Sequence, residues 1–257
     1  MNHESPVNAT AAEKQMRAWE AHMRSYCPGR QSAFELSAEL IFSRIAPGAA
    51  ENLRLADLGC GYGGWSAFVQ TAAQARDLKP QFTALDSSAQ RLQVYQTLLG
   101  PASHILQGDF LTTLPELCQS AGPVLDAVFF GWAAHEIPAA QLQDVYARIH
   151  QALKPGGLLL IADFMTGLQP AAEALALELT HRRRAQMMAD PELQRQEQAL
   201  HTHTRHEHGQ PHQHTHPHAN VRHYPPEEHA GFLSAAGFGL IEEVWRYLNN
   251  RMLLAIA

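Results

Sequence analysis

The sequence predicts an α/β fold: a mostly parallel sheet of seven strands with an antiparallel terminal hairpin and helices on both faces. Three observations predict it. From residue 53 to 162, short apolar runs alternate with helical segments, as when parallel strands lie between covering helices. The run 125–130 is nearly all apolar, which indicates a strand buried on both faces. Two further predicted strands, 239–247 and 251–257, are separated by a turn at 248–250 and predict the hairpin.

Two helices are predicted between residues 11 and 45, and we assign residues 1–50 to an N-terminal helical cap. The first helix has an apolar face at 3- and 4-residue spacing, formed by Met16, Trp19, Met23 and Tyr26. The Cys-Pro-Gly break at 27–29 ends this helix, and a second apolar face begins at Phe34.

The sheet domain is predicted to combine residues 51–167 with residues 225–257. Its parallel strands are expected at 53–58, 82–85, 103–106, 125–130 and 158–162. Helices are expected after the first strand and at 89–99, 140–153 and 226–236, and the hairpin strands at 239–247 and 251–257.

Residues 168–224 interrupt this alternation and are predicted to form a helical insertion. Helices are expected at 171–188 and, with a more polar sequence, at 191–200. Residues 201–218 contain only His, Thr, Arg, Glu, Gly, Gln and Pro, so they cannot build a core and are predicted to be flexible.

Composition excludes several classes of protein. The 257 residues suit one large domain or a domain with an insertion, and 46% apolar residues exclude wholesale disorder. The net charge of −6 argues against nucleic-acid binding, although Arg182 to Arg184 form one basic run. No apolar run approaches the ~18 residues of a membrane-spanning helix, and residues 1–6 do not resemble a secretory signal. We therefore expect a cytoplasmic protein with no membrane partner.

A glycine-rich sequence, Asp57-Leu-Gly-Cys-Gly-Tyr-Gly63, lies between the first strand and the following helix. Open α/β sheets bind nucleotides at this position, because glycines permit a sharp turn and a close approach of the backbone to a ligand. Asp86 ends the second strand, where a carboxylate can accept both hydroxyl protons of a ribose. The glycine spacing is GxGxG, with an acidic residue two positions before it.

On these motifs the chain resembles the class I S-adenosylmethionine-dependent methyltransferases, which have a Rossmann-like sheet. The resemblance covers residues 53–164 and 226–257. It rests on five ordered segments, at 56–64, 84–88, 107–110, 126–131 and 153–157. Nothing in the core departs from the family pattern.

The resemblance implies a site for S-adenosylmethionine at the carboxyl ends of the strands. The methionine end of the cofactor is assigned to the glycine-rich loop, through Asp57, Gly59, Cys60, Gly61 and Gly63. Asp86 would bind the ribose, and Ser87 would lie beside the adenine. Structural alternatives stay open: Asp57 can organise the loop, Asp86 can cap the next helix, and Cys60 can be no more than a small residue.

The adenine and the methyl group are assigned to residues after the third and fourth strands. Asp109 would accept a hydrogen bond from the adenine amino group, and Phe110 would pack on the ring. Gly131 and Trp132 would border the transferred methyl group. Asp109 can instead be a turn residue, and the two aromatic residues can belong to the core.

His135 and Glu136 follow the fourth strand and are the candidate catalytic residues. Histidine is a natural general base near neutral pH, and it can take a proton from a hydroxyl or amine acceptor. Alternatively, His135 packs structurally and Glu136 caps the next helix. Alignment of donor and acceptor can also drive methyl transfer without a base.

A small-molecule acceptor is predicted, because the sequence offers no separate domain for recognising nucleic acid or protein. Trp19, Tyr26 and Arg30 of the N-terminal helices would line its pocket, although an amphipathic covering helix would have the same pattern. The scattered Cys27, Cys60 and Cys118 disfavour a disulfide framework, a zinc site and arsenite as the acceptor. Two alternatives stay open: methylation of protein or RNA, and a metal-handling or sensing protein that binds the cofactor without turnover.

Eight of the 16 histidines fall in the segment 201–218, which suggests divalent metal binding. They are His201, His203, His206, His208, His212, His214, His216 and His218. Neutral imidazoles suit Zn²⁺ and Ni²⁺, and HxH spacing lets neighbouring rings reach one ion. The alternatives are a polar loop with adventitious affinity and a metal-dependent lid over the acceptor pocket.

Overall fold

The structure is a computed structural model that describes residues 8–44, 53–100, 103–118, 124–167, 169–195, 198 and 223–257. The sheet strands are β1 (Arg54–Leu58), β2 (Gln81–Asp86), β3 (His104–Gln107), β4 (Leu125–Gly131), β5 (Leu153–Phe164), β6 (Leu240–Tyr247) and β7 (Asn250–Ile256). The main helices are α1 (Ala9–Tyr26), α2 (Arg30–Ser43), α3 (Gly64–Gln74), α4 (Ala89–Leu99), α5 (Phe110–Cys118), α6 (Ala139–Ala152), α7 (Pro170–Met187) and α8 (Pro226–Ala235). Residues 191–195 are also helical.

The sheet has the order β3-β2-β1-β4-β5-β7-β6. Strands β1 to β5 pair in parallel, whereas β7 runs antiparallel to both β5 and β6. The seven-stranded, mostly parallel fold predicted from the sequence is therefore confirmed. The strand order reverses between β1 and β4, and open sheets bind their ligands in the crevice at such a point.

Helices cover both faces of the sheet because each face carries its own apolar core. On one face α5, α6 and α8 contribute buried residues such as Leu114, Leu142 and Leu233. On the other face α2 and α3 contribute Phe34 and Trp65, with α4 beside them. Strands β1, β4 and β5 supply side chains to both cores, which explains their nearly continuous apolar sequences.

Two elements differ from the sequence-based expectation. Strand β5 begins at Leu153 rather than at residue 158, because Leu153 pairs with Leu125 before an irregularity in the β4–β5 register. Helix α5 was not expected, since Pro115 lies inside it and proline disfavours a helix interior. The carboxylate of Asp109 stabilises the start of α5 by accepting hydrogen bonds from the amides of the two residues after Phe110.

Helix α1 lies at the carboxyl edge of the sheet, and α7 packs against α1. Helix α1 packs on the glycine-rich loop and α4 through a small apolar cluster that includes Ala12, Tyr62 and Val94. Helix α7 is largely exposed: Ala176 is its one buried residue, and Leu175 is 66% exposed. Among the described helices, none is long and apolar enough to cross a membrane. The proposed domain boundaries stay predictions.

Candidate active site

A cavity of about 440 Å³ opens at the carboxyl ends of the parallel strands. Two groups of residues line it. The glycine-loop half follows strands β1 to β3 and comprises Gly59, Cys60, Gly61, Asp86, Ser87, Asp109 and Phe110. The histidine half comes from the N-terminal helices and the ends of β4 and β5, and comprises Trp19, Arg30, Gly131, Trp132, His135, Glu136 and Phe164.

The backbone of the glycine-rich loop forms one wall of the cavity. Gly59 has φ +69° and Gly61 φ +54°, in the left-handed region that other residues rarely adopt. A Cβ atom on Gly59 would lie 2.7 Å from the Cβ of Ala133, so the loop also needs glycine for space. Tight turns and bare backbone together give a wall that a ligand can approach closely.

Asp86 holds the loop in place and also lines the cavity. Its Oδ2 accepts the amide hydrogen of Gly61 at 2.9 Å, and its Oδ1 accepts that of Ser88 at 2.9 Å. Ser88 is the N-cap of α4, so Asp86 supports the helix start without being the cap. Each carboxylate oxygen can accept more than one hydrogen bond, which leaves Asp86 able to bind a ligand hydroxyl as well.

Asp57 lies behind the loop and does not line the cavity. Its Oδ2 accepts a hydrogen bond from the Ser66 hydroxyl at 2.7 Å, and Ser66 Oγ accepts one from the Tyr95 hydroxyl at 2.8 Å. Burial raises the pKa of Asp57 to about 7. Gly63 also lies outside the cavity, against the Tyr95 ring. Both residues therefore support the loop from behind.

Asp109 and Phe110 reach the far end of the glycine-loop half. Asp109 accepts hydrogen bonds from the amides of Leu111 and Thr112, at 2.9 and 3.0 Å, and from the Thr112 hydroxyl, at 2.6 Å. The bonds from Thr112 lower the pKa of Asp109. Phe110 packs against Phe130, with ring centroids 5.0 Å apart, and also faces the cavity. Its role as core residue and its role as wall residue are thus compatible.

His135 and Asp163 form a buried pair at the histidine half. Nδ1 of His135 lies 2.6 Å from Oδ1 of Asp163, and the backbone amide of His135 donates to Oδ2 at 2.9 Å. Burial alone lowers the pKa of His135, but attraction to the Asp163 carboxylate and the hydrogen bond outweigh it, and the net direction is upward. Burial likewise acts to raise the pKa of Asp163, and the contact with His135 lowers it.

Sequence reasoning missed Asp163, although a signal was present. Asp163 is a charged residue next to the end of the apolar strand β5, as Asp86 is at the end of β2. It is 1% exposed, and a charge buried to that degree needs a partner. The partner, His135, follows β4, the strand that pairs in parallel with β5.

Glu136 has an exposed side chain on the wall beside His135. Nearby protein atoms raise the pKa of Glu136 by partial desolvation, while the charge of His135 acts to lower it. No side-chain hydrogen bond caps the start of α6, so capping of that helix by Glu136 is not seen. Glu136 thus adds negative potential near the His135 imidazole.

Arg30 is buried between two aromatic rings and a carboxylate. Its Nε and Nη2 donate to Oε2 and Oε1 of Glu20 at 3.0 and 3.2 Å. Its Cζ lies 4.7 Å from the ring centroid of Phe34 and 4.4 Å from that of Trp132. Arg30 is 8% exposed and lines the cavity. Sequence reasoning identified Arg30 but not Glu20, because nothing local links a residue of α1 to one of α2.

Trp132 has an uncommon backbone conformation at the cavity wall. Its φ is +53°, which is a genuine outlier for a bulky residue. The backbone amide donates to the Ala162 carbonyl at 2.6 Å, and Nε1 donates to Oδ1 of Asn250 at 3.0 Å. Contacts to β5 and β7 thus hold the ring beside Gly131, and such outliers cluster at functional sites.

Trp19 and Tyr26 of α1, which were also predicted to line the pocket of the methyl acceptor, lie in different places. Trp19 lines the cavity, packs near Tyr62 and has the Arg91 guanidinium 5.0 Å from its ring centroid. Tyr26 does not line the cavity; the Arg184 guanidinium of α7 lies 3.6 Å from its ring centroid. Tyr26 therefore joins α1 to α7 rather than facing the site.

The histidine-rich segment 201–218 lies outside the described residues. Within the described residues, no group of three or more His, Cys, Asp or Glu side chains could hold a metal ion. Metal binding by this segment stays a prediction from the sequence.

Comparison with known proteins agrees with this geometry. Residues 55–157 match a protein family described as a methyltransferase domain, a span that holds the glycine-rich loop, Asp86, Asp109 and His135. Residues 55–157 thus form a methyltransferase domain, which confirms the resemblance drawn from the sequence. No curated protein sequence matches the chain significantly.

Solved methyltransferase structures share the fold. An O-methyltransferase family protein from Burkholderia thailandensis is 18% identical with a TM-score of 0.55, and 88% of the present chain aligns with 55% of it. The DszA carbon methyltransferase is 14% identical with a TM-score of 0.61, at coverages of 93% and 57%. Human N-acetylserotonin methyltransferase, in complex with SAM, is 15% identical with a TM-score of 0.53, at 96% and 55%. The chain spans little more than half the length of these proteins.

Proposed function

We propose that the protein transfers the methyl group of S-adenosylmethionine to a small-molecule acceptor. The cofactor occupies the glycine-loop half of the cavity, and the acceptor occupies the histidine half. The observation that carries the proposal is the buried pair of His135 and Asp163, because His135 lines the same cavity as the glycine-rich loop. It places a candidate base and a nucleotide-type loop on one cavity.

The residues of the glycine-loop half fit the cofactor. The side of Gly59 that a Cβ would fill is closed by Ala133, while the loop backbone faces the cavity. Asp86 offers carboxylate oxygens to ribose hydroxyls, and Phe110 offers a ring face to the adenine. When bound, S-adenosylmethionine supplies an electrophilic methyl group on a sulfonium.

His135 takes the proton that the acceptor loses as the new bond to the methyl group forms. Asp163 holds Nδ1, so the proton arrives at Nε2, and the carboxylate stabilises the resulting imidazolium. Asp163 also fixes the backbone of His135 through its amide, which keeps the ring in one orientation. Asp163 is thus a positioning residue, and His135 is the proposed catalytic base.

The size of the cavity supports a small acceptor. Pockets for drug-sized ligands measure roughly 300–1,000 Å³, and this cavity of about 440 Å³ must hold the cofactor and the acceptor together. The chemistry of the site leaves an oxygen, nitrogen or carbon acceptor atom open, and the similar structures, which include O- and carbon methyltransferases, support oxygen or carbon.

The test is incubation of the protein with S-adenosylmethionine carrying a labelled methyl group and a small-molecule fraction of a cell extract. We expect label in a small molecule, formation of S-adenosylhomocysteine, and loss of both with His135→Ala. Label only in macromolecules would favour a protein or RNA substrate, and strong salt dependence would favour RNA. Cofactor binding without any labelled product would favour a sensing protein that lacks turnover.

Binding of divalent metal by the histidines of residues 201–218 is a separate proposal that rests on the sequence alone. The proposed base His135 and its partner Asp163 do not belong to this segment. Zn²⁺ and Ni²⁺ are the ions that such imidazoles suit.

A further inference from the structure

The guanidinium of Arg30 has donors that its protein partners do not use. Glu20 takes Nε and Nη2, which form one edge of the planar group. Nη1 is buried and has no hydrogen-bond partner in the described part of the chain. An arginine has five N–H donors in a fixed fork, so the edge between Nη1 and Nη2 remains open.

The surroundings fix this edge rather than leaving it mobile. The rings of Phe34 and Trp132 lie within 5 Å of the guanidinium carbon, and the two oxygens of Glu20 set its rotation. A buried donor without a partner is costly, and natural proteins leave one mainly where a ligand or water completes it. Arg30 also lines the cavity, so a ligand bound there lies next to the guanidinium.

We propose that Arg30 binds a carboxylate in the cavity, on the guanidinium edge that Glu20 leaves open. A planar carboxylate matches two parallel N–H donors, and the aromatic rings exclude water from the contact. This inference rests on the proposed function. The carboxylate has two possible sources: the amino-acid end of S-adenosylmethionine and an acidic group on the acceptor.

Calorimetry on the full chain tests the inference and separates the two sources. The first pair of ligands is S-adenosylhomocysteine and its decarboxylated analogue, which differ only in the carboxylate. The second pair is benzoate and benzamide, titrated into protein saturated with S-adenosylhomocysteine. Each pair is measured with the wild type, with Arg30→Lys and with the control Arg76→Lys. Arg76 is exposed and stacks on Phe42 outside the cavity, so it matches Arg30 in its ring contact.

A carboxylate bound by Arg30 should give the wild type about a 10- to 100-fold preference for the acidic member of one pair. Arg30→Lys should abolish that preference, because Glu20 retains the single ammonium group, while Arg76→Lys should keep it. A lost preference in the first pair assigns the carboxylate to the cofactor, and one in the second pair assigns it to the acceptor.

If neither preference depends on Arg30, the inference is overturned. Should Arg30→Lys fail to fold, judged by circular dichroism, Arg30→Gln takes its place: a lost preference in that variant supports the inference, and a retained preference overturns it. The proposed function fails separately, through absence of labelled product. Labelled product without an Arg30-dependent preference leaves the proposed function intact and removes only the carboxylate site.

Discussion

The two halves of the cavity are built in different ways. The glycine-loop half comes from three segments, and each of them lies at the carboxyl end of one strand: β1, β2 or β3. The histidine half is assembled from pairs that are distant in sequence. Asp163 is 28 residues from His135, and Asn250 is 118 residues from its partner Trp132.

This difference indicates how each half responds to change. In the glycine-loop half the backbone itself forms the wall. Side chains such as Asp86 hold this backbone by accepting hydrogen bonds from its amides. In the histidine half the chemistry depends on side-chain pairs that only the packed sheet brings together. We expect variants of the glycine-loop half to change ligand affinity, and variants of the His135–Asp163 pair to change turnover.

The largest effect should come from His135→Ala. Loss of a general base costs ~10²–10⁴ in turnover, while affinity for S-adenosylhomocysteine should stay within a few-fold. Turnover is measured with labelled cofactor on the identified acceptor. His104→Ala is the control, because His104 is exposed at the opposite end of β3. Turnover of the His135 variant close to that of the wild type would give His135 a structural role.

Asp86→Ala, in contrast to His135→Ala, should mainly lower the affinity for the cofactor. Removing the carboxylate leaves ligand hydroxyls and the Gly61 amide without an acceptor, at ~1–3 kcal/mol. Affinity for S-adenosylmethionine should therefore fall about 5- to 150-fold by calorimetry. Asp144→Ala, on the exposed face of α6, should have no effect. An affinity unchanged by Asp86→Ala would remove the ribose assignment.

The pH dependence sharpens the comparison within the histidine half. A base works in its neutral form, so kcat/KM should fall as the pH drops through the raised pKa of His135, which lies above 6.5. Asp163→Asn removes the carboxylate charge that raises this pKa, so the falling limb should move to lower pH. The maximum rate should also decrease, because the ring loses its orientation. If the fall in kcat/KM occurs at the same pH in Asp163→Asn as in the wild type, a group other than His135 controls it.

Titration of His135 should change stability and activity in opposite directions as the pH rises. Since folding raises the pKa of His135, its contribution to stability is fully present below pH 6.5, and is lost as the pH rises through the higher, folded-state pKa. Thermal unfolding followed across this range should show the contribution in the wild type and less of it in Asp163→Asn.

The smallest effect on turnover is expected from deletion of residues 201–218. Deletion should abolish uptake of Zn²⁺ or Ni²⁺, measured by equilibrium dialysis, and leave turnover nearly unchanged. A metal-dependent lid predicts more: added metal would change the turnover of the intact protein and not that of the deletion variant. If the turnover of both proteins ignores metal, the segment is at most a passive binder.

The sequence by itself determined the sheet, the glycine-rich loop and the residues at the strand ends. These features are local: apolar periodicity specifies strands and helices, and glycines mark a turn that other residues cannot adopt. Asp86 and Asp109 could be found because the residue after a parallel strand lies at the carboxyl edge. Helix α5 escaped detection because its cap overcame an unfavourable proline.

Only the tertiary structure decided which residues face the cavity and which act in pairs. It placed Tyr26 against α7, although Tyr26 shares a helical face with Trp19, because Arg184 of a distant helix stacks on its ring. It joined Glu20 to Arg30 and Asp163 to His135. Such pairs depend on burial and on chain reversal, and no local pattern encodes either. The physical reason is that a buried charge is stable only beside its partner, wherever the fold brings that partner.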